Sequence, residues 1–336
     1  MTSETVLPTP VPSKVSGAHP VRDMLVMRML WGLATIAVVA VIVYFATTVL
    51  PGDAANAILG RSATPERAAA LRAELGLDRP LVERFFSWVV GALQGDFGNS
   101  LAKGQPVTAV MGDRLVNSAV LMVSSAAVAT VIGVMLGIHA ALHRDGMFDS
   151  IGSVASLIAS ALPEFVVAIF VVMLLAVNVL VLFPGVSILP PGTFIWEEPS
   201  KLVLPVISLV IVTAPYIFRM TRAAMIEALE SDYVEACRLK GASERRVAFR
   251  HAFPNALAPV IQVVGLTLLY LAGGIILVET VFTFPGLGTE LVQAVAGRDV
   301  PIIQFTVLVL AVFYVVMNIL TDLVVLLVTP RKRFPR

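Results

Sequence analysis

EALESDYVEACRLKGASERRVAFRHAFPNALAP, residues Glu227–Pro259, is a polar island in an otherwise apolar chain. It is too polar to lie in hydrocarbon and too rich in helix start and stop signals to be a linker. Asp232-Tyr233 opens a helix expected to run through Lys240. Gly241 then offers a position that tolerates left-handed dihedrals and ends that helix. Ser243 can cap a second helix, expected to reach about Arg250, and Pro254 is expected to break it before the next apolar run. The product is a helix–glycine–helix elbow held off a membrane. Ala236 and Ala242 near the bend leave room for another surface, and Arg238, Lys240, Arg245 and Arg246 ring it with positive charge. Two roles are open to such a segment: an elbow that transmits a push from a soluble partner, or a basic loop that serves topology alone.

Outward from this island the composition is that of a membrane protein. Of 336 residues 57% are apolar and 14% are charged, against about 25% charged in soluble domains, and mean hydropathy is +0.89. A soluble fold, a disordered chain and a coiled coil are excluded. Cys237 is the single cysteine, which excludes a disulfide scaffold, and a net charge of +1 gives no nucleic-acid footprint.

Crossing a bilayer takes roughly 20 apolar helical residues. Met29–Leu50, Leu115–Ala141, Ser150–Phe183, Leu202–Phe218, Asn255–Val278 and Pro301–Thr329 qualify. The third stretch is long for one span and short for two, and Pro163 inside it marks a kink or a hairpin. Charge decides the count, because short cytoplasmic loops collect Lys and Arg. Six spans put three basic groups on the inner side: Lys14, Arg22 and Arg28; the loop 219–254; and the tail 331–336. Splitting the third stretch would push the Arg-rich loop outside. Residues 1–22 are expected to be a disordered cytoplasmic leader, not a secretory signal, since Met29–Leu50 is too long for a signal core and Pro51-Gly52-Asp53 follows it.

Residues 51–114 lie outside on this topology. Thr64 can cap a helix with Pro65 at its first position, Glu66 near its positive end and Gly76 closing it. A second is expected over Pro80–Leu93, with Val82, Phe85, Phe86, Val89 and Leu93 as an apolar stripe and Trp88 suited to the headgroup level. This unit is either a docking platform or a packing helix that seals the rim.

Ionisable residues inside spans are costly and face a cavity or a partner. Glu164 follows Pro163 and sits roughly 20 Å into the third stretch at 1.5 Å per residue. It can line a translocation path and favour an ammonium group, or pair as a buried acid with Asn178, Ser or Thr. Asp322 is expected to pair near the inner interface, and Glu279 to anchor the Pro285-Gly286 turn at the outer end of the fifth span. Gly133, Gly137, Gly265, Gly273 and Gly274 fit close helix approach. His19, His139, His143 and His251 have no metal spacing, and there is no phosphate loop and no G-x-S-x-G, so neither a metal site nor a catalytic site is expected.

Glu235-Ala236-Cys237, Gly241 and Pro254-Asn255 resemble the EAA loop of bacterial ABC importer permeases, with Cys237 where the family usually has Ala and Ala252-Phe253 before the proline. Pro51-Gly52-Asp53, Leu75–Pro80, Gly95–Ser100, Val278–Phe282, Pro285–Gly288 and Asn318 through Asp322 to Pro330-Arg331 are similar to the dipeptide/oligopeptide (DppB/OppB-type) subfamily. The likeness spans about residues 24–333. It implies an all-α, polytopic chain of six transmembrane helices with the type I ABC importer permease fold and an external helical loop. It implies a non-enzymatic subunit of the bacterial cytoplasmic membrane, with both termini inside. The partners implied are a second, related permease, two ATP-binding cassette subunits and an external solute-binding protein. ATP and Mg2+ would bind those ATPase subunits, leaving this chain without a cofactor. Glu235, Ala236, Cys237, Arg238, Gly241, Ala242 and Ser243 would then form the coupling segment. Peptides are the implied cargo; nickel complexes, opines and modified peptides are carried by similar permeases. An ion-coupled secondary transporter is the rival, weakened by the lack of an internal repeat.

Overall fold

A computed structural model describes residues 20–49, 64–74, 79–178, 180–190 and 192–329. Its helices are α1 (Pro20–Val49), α2 (Pro65–Glu74), α3 (Leu81–Leu93), α4 (Val107–Leu142), α5 (Met147–Ala161), α6 (Glu164–Val172), α7 (Ser200–Leu229), α8 (Asp232–Leu239), α9 (Glu244–Arg246), α10 (Phe253–Phe282), α11 (Leu287–Gly297) and α12 (Val300–Val328). Among the described residues there is no strand, only an isolated bridge between Asn99 and Pro106. Also among the described residues, five segments are long and apolar enough to cross a membrane: most of α1, then α4, α7, the run from α9 through α10, and α12. The bent pair α5–α6 makes a sixth when its two arms count as one crossing.

In lipid, apolar surface gains little by leaving its solvent, so helices are held by close packing instead. α4 on α7 is the most extensive contact, followed by α10 on α7, and α1 rests on α12. Gly133 and Gly137 set the first of these. A methyl group at 133 would lie 2.7 Å from Ile217 Cβ and 2.9 Å from the Ala214 carbonyl oxygen, and one at 137 would lie 2.8 Å from the Phe218 carbonyl oxygen. Gly265 meets Thr321 of α12 the same way, whereas Gly273 has nothing within 4 Å. Leu121, Ala168, Leu204, Leu209, Val212, Val278 and Phe282, all buried, form the central core. Trp31 and Leu33 of α1 stand two-thirds exposed, as a lipid-facing helix requires.

Several expectations need sharpening or correcting. The break expected at Pro163 in the third stretch, either a kink or a hairpin, is a sharp corner. α5 and α6 meet at 102°, because Leu162, which precedes a proline, takes the extended ψ of 133°. The second arm closes in a π-helical turn, Met173–Asn178. The helix of the fourth expected span, α7, continues to Leu229 instead of ending near Phe218, so the polar elbow starts later than residue 219. Pro254 does not end its helix. A π-helical turn over Val247–Ala252 precedes it; the widened turn lets the chain run unbroken from Glu244 to Phe282. α1 begins at Pro20, inside the expected leader, since proline is at home in a first helical turn. Helix α4 begins at Val107, so residues 107–114 belong to a spanning helix and not to the external loop.

The external helices fall over Pro65–Glu74 and Leu81–Leu93, and the Arg67 N–H donates to the Thr64 hydroxyl at 3.3 Å. Only part of the α3 stripe packs inward. Phe85 and Trp88 meet Tyr44 with ring centroids 5.2 and 5.4 Å away, while Phe86 and Leu93 are exposed. The expectations for residues 1–19, Pro51-Gly52-Asp53, Leu75–Asp78 and the tail from Pro330 to 336 lie outside the described residues.

Candidate functional site

The elbow is built from its glycine outward. Gly241 has φ +78°, where an L side chain is strained. The Gly241 N–H donates to the Arg238 carbonyl at 2.9 Å and the Ala242 N–H to that of Cys237 at 3.2 Å, closing α8. Ser243 occupies the cap position of α9, but its hydroxyl makes no cap bond; its carbonyl accepts from the Val247 N–H at 2.9 Å. The base of the elbow is fixed. Val234 is fully buried against Met225, Leu229 and Val247. Arg238, expected to bring positive charge and to belong to the coupling segment, also braces the fold: its guanidinium donates to Glu244 at 3.1 and 3.3 Å and to the Leu229 carbonyl at 3.3 Å. The outer face is bare. Glu235, Ala236 and Gly241 are exposed, Cys237 and Ala242 half-buried, and Leu239 is 84% exposed beside an exposed Tyr233.

The second cluster lies at the α5–α6 bend. Pro163 is the residue before α6 and Glu164 its first residue. The Glu164 carboxylate lies against Gly274 of α10, where a methyl group would sit 3.0 Å from Oε1. It also interacts with the Tyr270 hydroxyl, so the partner is a tyrosine of α10 and not Asn178. On the other side of the bend the Tyr216 hydroxyl donates to the Ser160 carbonyl at 3.4 Å. The Tyr216 and Tyr270 rings are 5.9 Å apart, and the Arg219 guanidinium stands 5.2 Å from the Tyr216 ring.

The third cluster is the outer turn after α10. Glu279 is fully buried. Its carboxylate accepts from the Ser118 hydroxyl at 2.5 Å, the Gly288 N–H at 2.7 Å and the Thr289 N–H at 3.3 Å, at the positive end of α11. A side chain at Gly286 would collide with that carboxylate. Asn117 grips both sides, donating to the Pro285 carbonyl at 3.1 Å and accepting from the Ile195 N–H at 3.2 Å. The structure thus brings Glu279, Pro285 and Gly286 into one turn.

Sequence reasoning missed three pairings between residues distant in the chain. Arg222 of α7 donates twice to the buried carboxylate of Asp149 at the start of α5, one bond being 2.6 Å from Nη2 to Oδ2. Asp299, buried, accepts from the Ser100 hydroxyl and from the N–H groups of Leu101 and Ala102 at 3.1 and 3.2 Å. Glu290, buried, pairs with Lys103 and, at 2.8 Å, with Arg114. Asp322, half-buried on the last helix, pairs with Arg28 of α1 at 3.0 Å. The Gly95–Ser100 motif was the one available signal for these outer contacts, because Gly95 and Gly98 both take positive φ.

Comparison with known proteins follows the same outline. Residues 133–334 match the family described as binding-protein-dependent transport system inner membrane component, and residues 21–122 match its N-terminal counterpart. The chain is 34% identical over 308 residues to a probable peptide ABC transporter permease protein, y4tP, of Sinorhizobium fredii (strain NBRC 101917 / NGR234), covering 91% of this chain and 98% of that one. It is 34% identical over 313 residues to a putative peptide transport system permease protein of Brucella abortus (strain 2308), covering 93% and 99%. It is 33% identical over 307 residues to the glutathione transport system permease protein GsiC of Salmonella choleraesuis (strain SC-B67), covering 91% and 97%. In fold it is similar, at TM-score 0.55 and 18% identity, to a chain of the inward-facing MetNI methionine ABC transporter, over 66% of this chain and 97% of that one.

Proposed function

Since the chain belongs to the binding-protein-dependent transport system inner membrane component family, we propose that it is one permease of an ATP-driven importer for di- and oligopeptides. It forms half of the translocation path. A second, related permease supplies the other half, two ATP-binding cassette subunits bind ATP and Mg2+, and an external solute-binding protein delivers the cargo. Both termini lie in the cytoplasm. The peptide class rests on the relatives, whose names include peptide and glutathione permeases.

The observation that carries the coupling role is the contrast between the two sides of the elbow. Its inner side is locked by Val234 and by Arg238, which ties α8 to both α7 and α9. Its outer side holds Leu239 and Tyr233 out into the aqueous phase. Large apolar side chains projecting from a polar loop mark a surface that another protein covers. Glu235, Ala236, Cys237, Arg238, Gly241, Ala242 and Ser243 therefore form the handle that an ATPase subunit grips. When the ATPase pair closes around ATP, displacement of the handle moves the ends of α7 and α10 that flank the elbow. Glu164 and Pro163 line the path, and the Glu279–Pro285–Gly286 turn closes its outer end.

The test is reconstitution of the complete complex in nanodiscs. ATP hydrolysis is expected to rise when the binding protein is added with peptide, and to lose that stimulation when Gly241 is replaced by Trp. Uptake by this chain alone, in ATP-free vesicles under an ion gradient, would instead establish a secondary transporter.

A further inference from the structure

We propose that Arg219, Tyr216, Tyr270 and Glu164 form a dipolar track that holds a peptide by both charged ends, the carboxylate at Arg219 and the ammonium at Glu164. This rests on the peptide-importer reading above and adds the residues and polarity of the passage.

Four observations carry it. First, the residues come from three helices, α6, α7 and α10, and follow one another without a gap: guanidinium, ring, ring, carboxylate. Second, among the described residues neither Arg219 nor Glu164 forms an ion pair, although both lie within segments of membrane-spanning character. Other ionisable residues of the spans do find partners of opposite charge: Arg222 with Asp149, Asp322 with Arg28 and Arg114 with Glu290. An unmatched charge facing lipid is costly, so this face borders a polar space. Third, Tyr270 is 43% exposed, and the absence of a side chain at Gly274 is what lets the Glu164 carboxylate lie against α10 beside it. Fourth, two aromatic rings keep the charges out of each other's reach, as a zwitterion with a peptide body between its ends requires. An extended di- or tripeptide spans on the order of 7–10 Å. Aromatic faces suit such a passage because they contact a peptide backbone of any sequence without demanding particular side chains.

Tyr216 also ties to the bend itself through the Ser160 carbonyl before it, while Tyr270 neighbours the Glu164 carboxylate after it. Cargo that engages Glu164 therefore competes with Tyr270 for the carboxylate, which links occupancy to the geometry of the α5–α6 corner.

The experiment uses the full complex in proteoliposomes with triglycine, N-acetyl-triglycine and triglycine amide as probes, each at a concentration that saturates the binding protein. Preferences of the binding protein cancel when each variant is divided by wild type for the same probe. Glu164→Gln is expected to cut triglycine uptake about tenfold, a loss of about 1.4 kcal/mol, and to leave N-acetyl-triglycine nearly unchanged. Arg219→Gln is expected to do the same to triglycine while sparing the amide. Equal losses for all three probes would reduce both residues to structural roles and overturn the track. For any probe the binding protein refuses, a triglycine analogue with a central diazirine side chain replaces uptake. Irradiated during turnover, it is expected to label the segments carrying Tyr216 and Tyr270, and labelling confined to other helices overturns the proposal. No uptake of any peptide by the wild-type complex would sink the peptide reading instead.

Discussion

Gly241 offers a perturbation whose magnitude can be worked out before the assay. At φ +78° an alanine pays roughly 1–2 kcal/mol for the left-handed conformation, a β-branched residue more, and asparagine less because its side chain tolerates that region. A methyl group at 241 would meet nothing within 4 Å, so the cost is one of backbone alone. A change of 1–2 kcal/mol is a factor of roughly 5–30 in a conformational population. In the reconstituted complex, stimulation of ATP hydrolysis by the loaded binding protein is expected to fall in the order Gly, Asn, Ala, Val. Hydrogen exchange over residues 232–246 should rise in the same order, led by the amides of Gly241 and Ala242, which close the turn. Wild-type stimulation in all three variants would refute the need for a left-handed joint. Equal loss in all three, with exchange unchanged, would show that the handle needs clearance against its partner, not a special backbone angle.

Three other outcomes follow from the packing. Glu279→Ala strands three buried donors, each worth about 1–3 kcal/mol when unpaired, and should lower the thermal midpoint of the purified complex well below that of Glu279→Gln, which keeps one acceptor. Asp149→Asn and Arg222→Met should each destabilise by about 2–3 kcal/mol, below the fully buried range because Arg222 is partly solvated; the double variant should recover part of the loss, and a thermal-melt double-mutant cycle measures how much. Pro215→Ala restores a donor to the interior of α7, where a proline disrupts local helix by about 3 kcal/mol, and uptake per ATP hydrolysed, measured in proteoliposomes, should fall while melting temperature rises.

What the sequence made legible was local. Gly241 announced its own turn because no other residue type adopts that dihedral at so little cost, and Thr64-Pro65 and Pro80 marked helix starts by the missing proline N–H. Glu164 was legible as an expensive residue, but its partner Tyr270 lies more than a hundred positions away, and nothing in spacing points to it. Arg238 looked like one more topological charge; its role as a brace exists only once α7, α8 and α9 are folded together. Pro254 and Pro163 carry the same local signal with opposite outcomes. Both remove a helix hydrogen bond, yet the first is absorbed by a π-helical turn over Val247–Ala252 and the second is spent on a 102° corner. Local sequence gives the interruption, and tertiary packing decides whether the chain widens or turns.

On the proposed reading, the placement of α7 links a handle at one end to a passage in the middle. Below Pro215 the helix is clamped along its length: Arg222 grips Asp149 at the foot of α5, Gly137 presses on it at Phe218 and Thr221, and Arg238 holds the carbonyl of its last residue, Leu229. That segment has the contacts to move as one body with the elbow. At Pro215 the ladder loses a bond, since the carbonyl of Ile211 has no N–H to accept. The next residue is Tyr216, which touches Ser160 at the corner and the ring of Tyr270. The compliant joint of the rod therefore coincides with the level of the polar track. On that reading, a displacement entering at Leu239 would travel stiffly through the clamped segment and be released as rotation where Glu164, Tyr270 and Tyr216 meet. Were the proline one turn lower, motion would be lost before reaching the track; one turn higher, the track would ride rigidly with the handle and could not change shape.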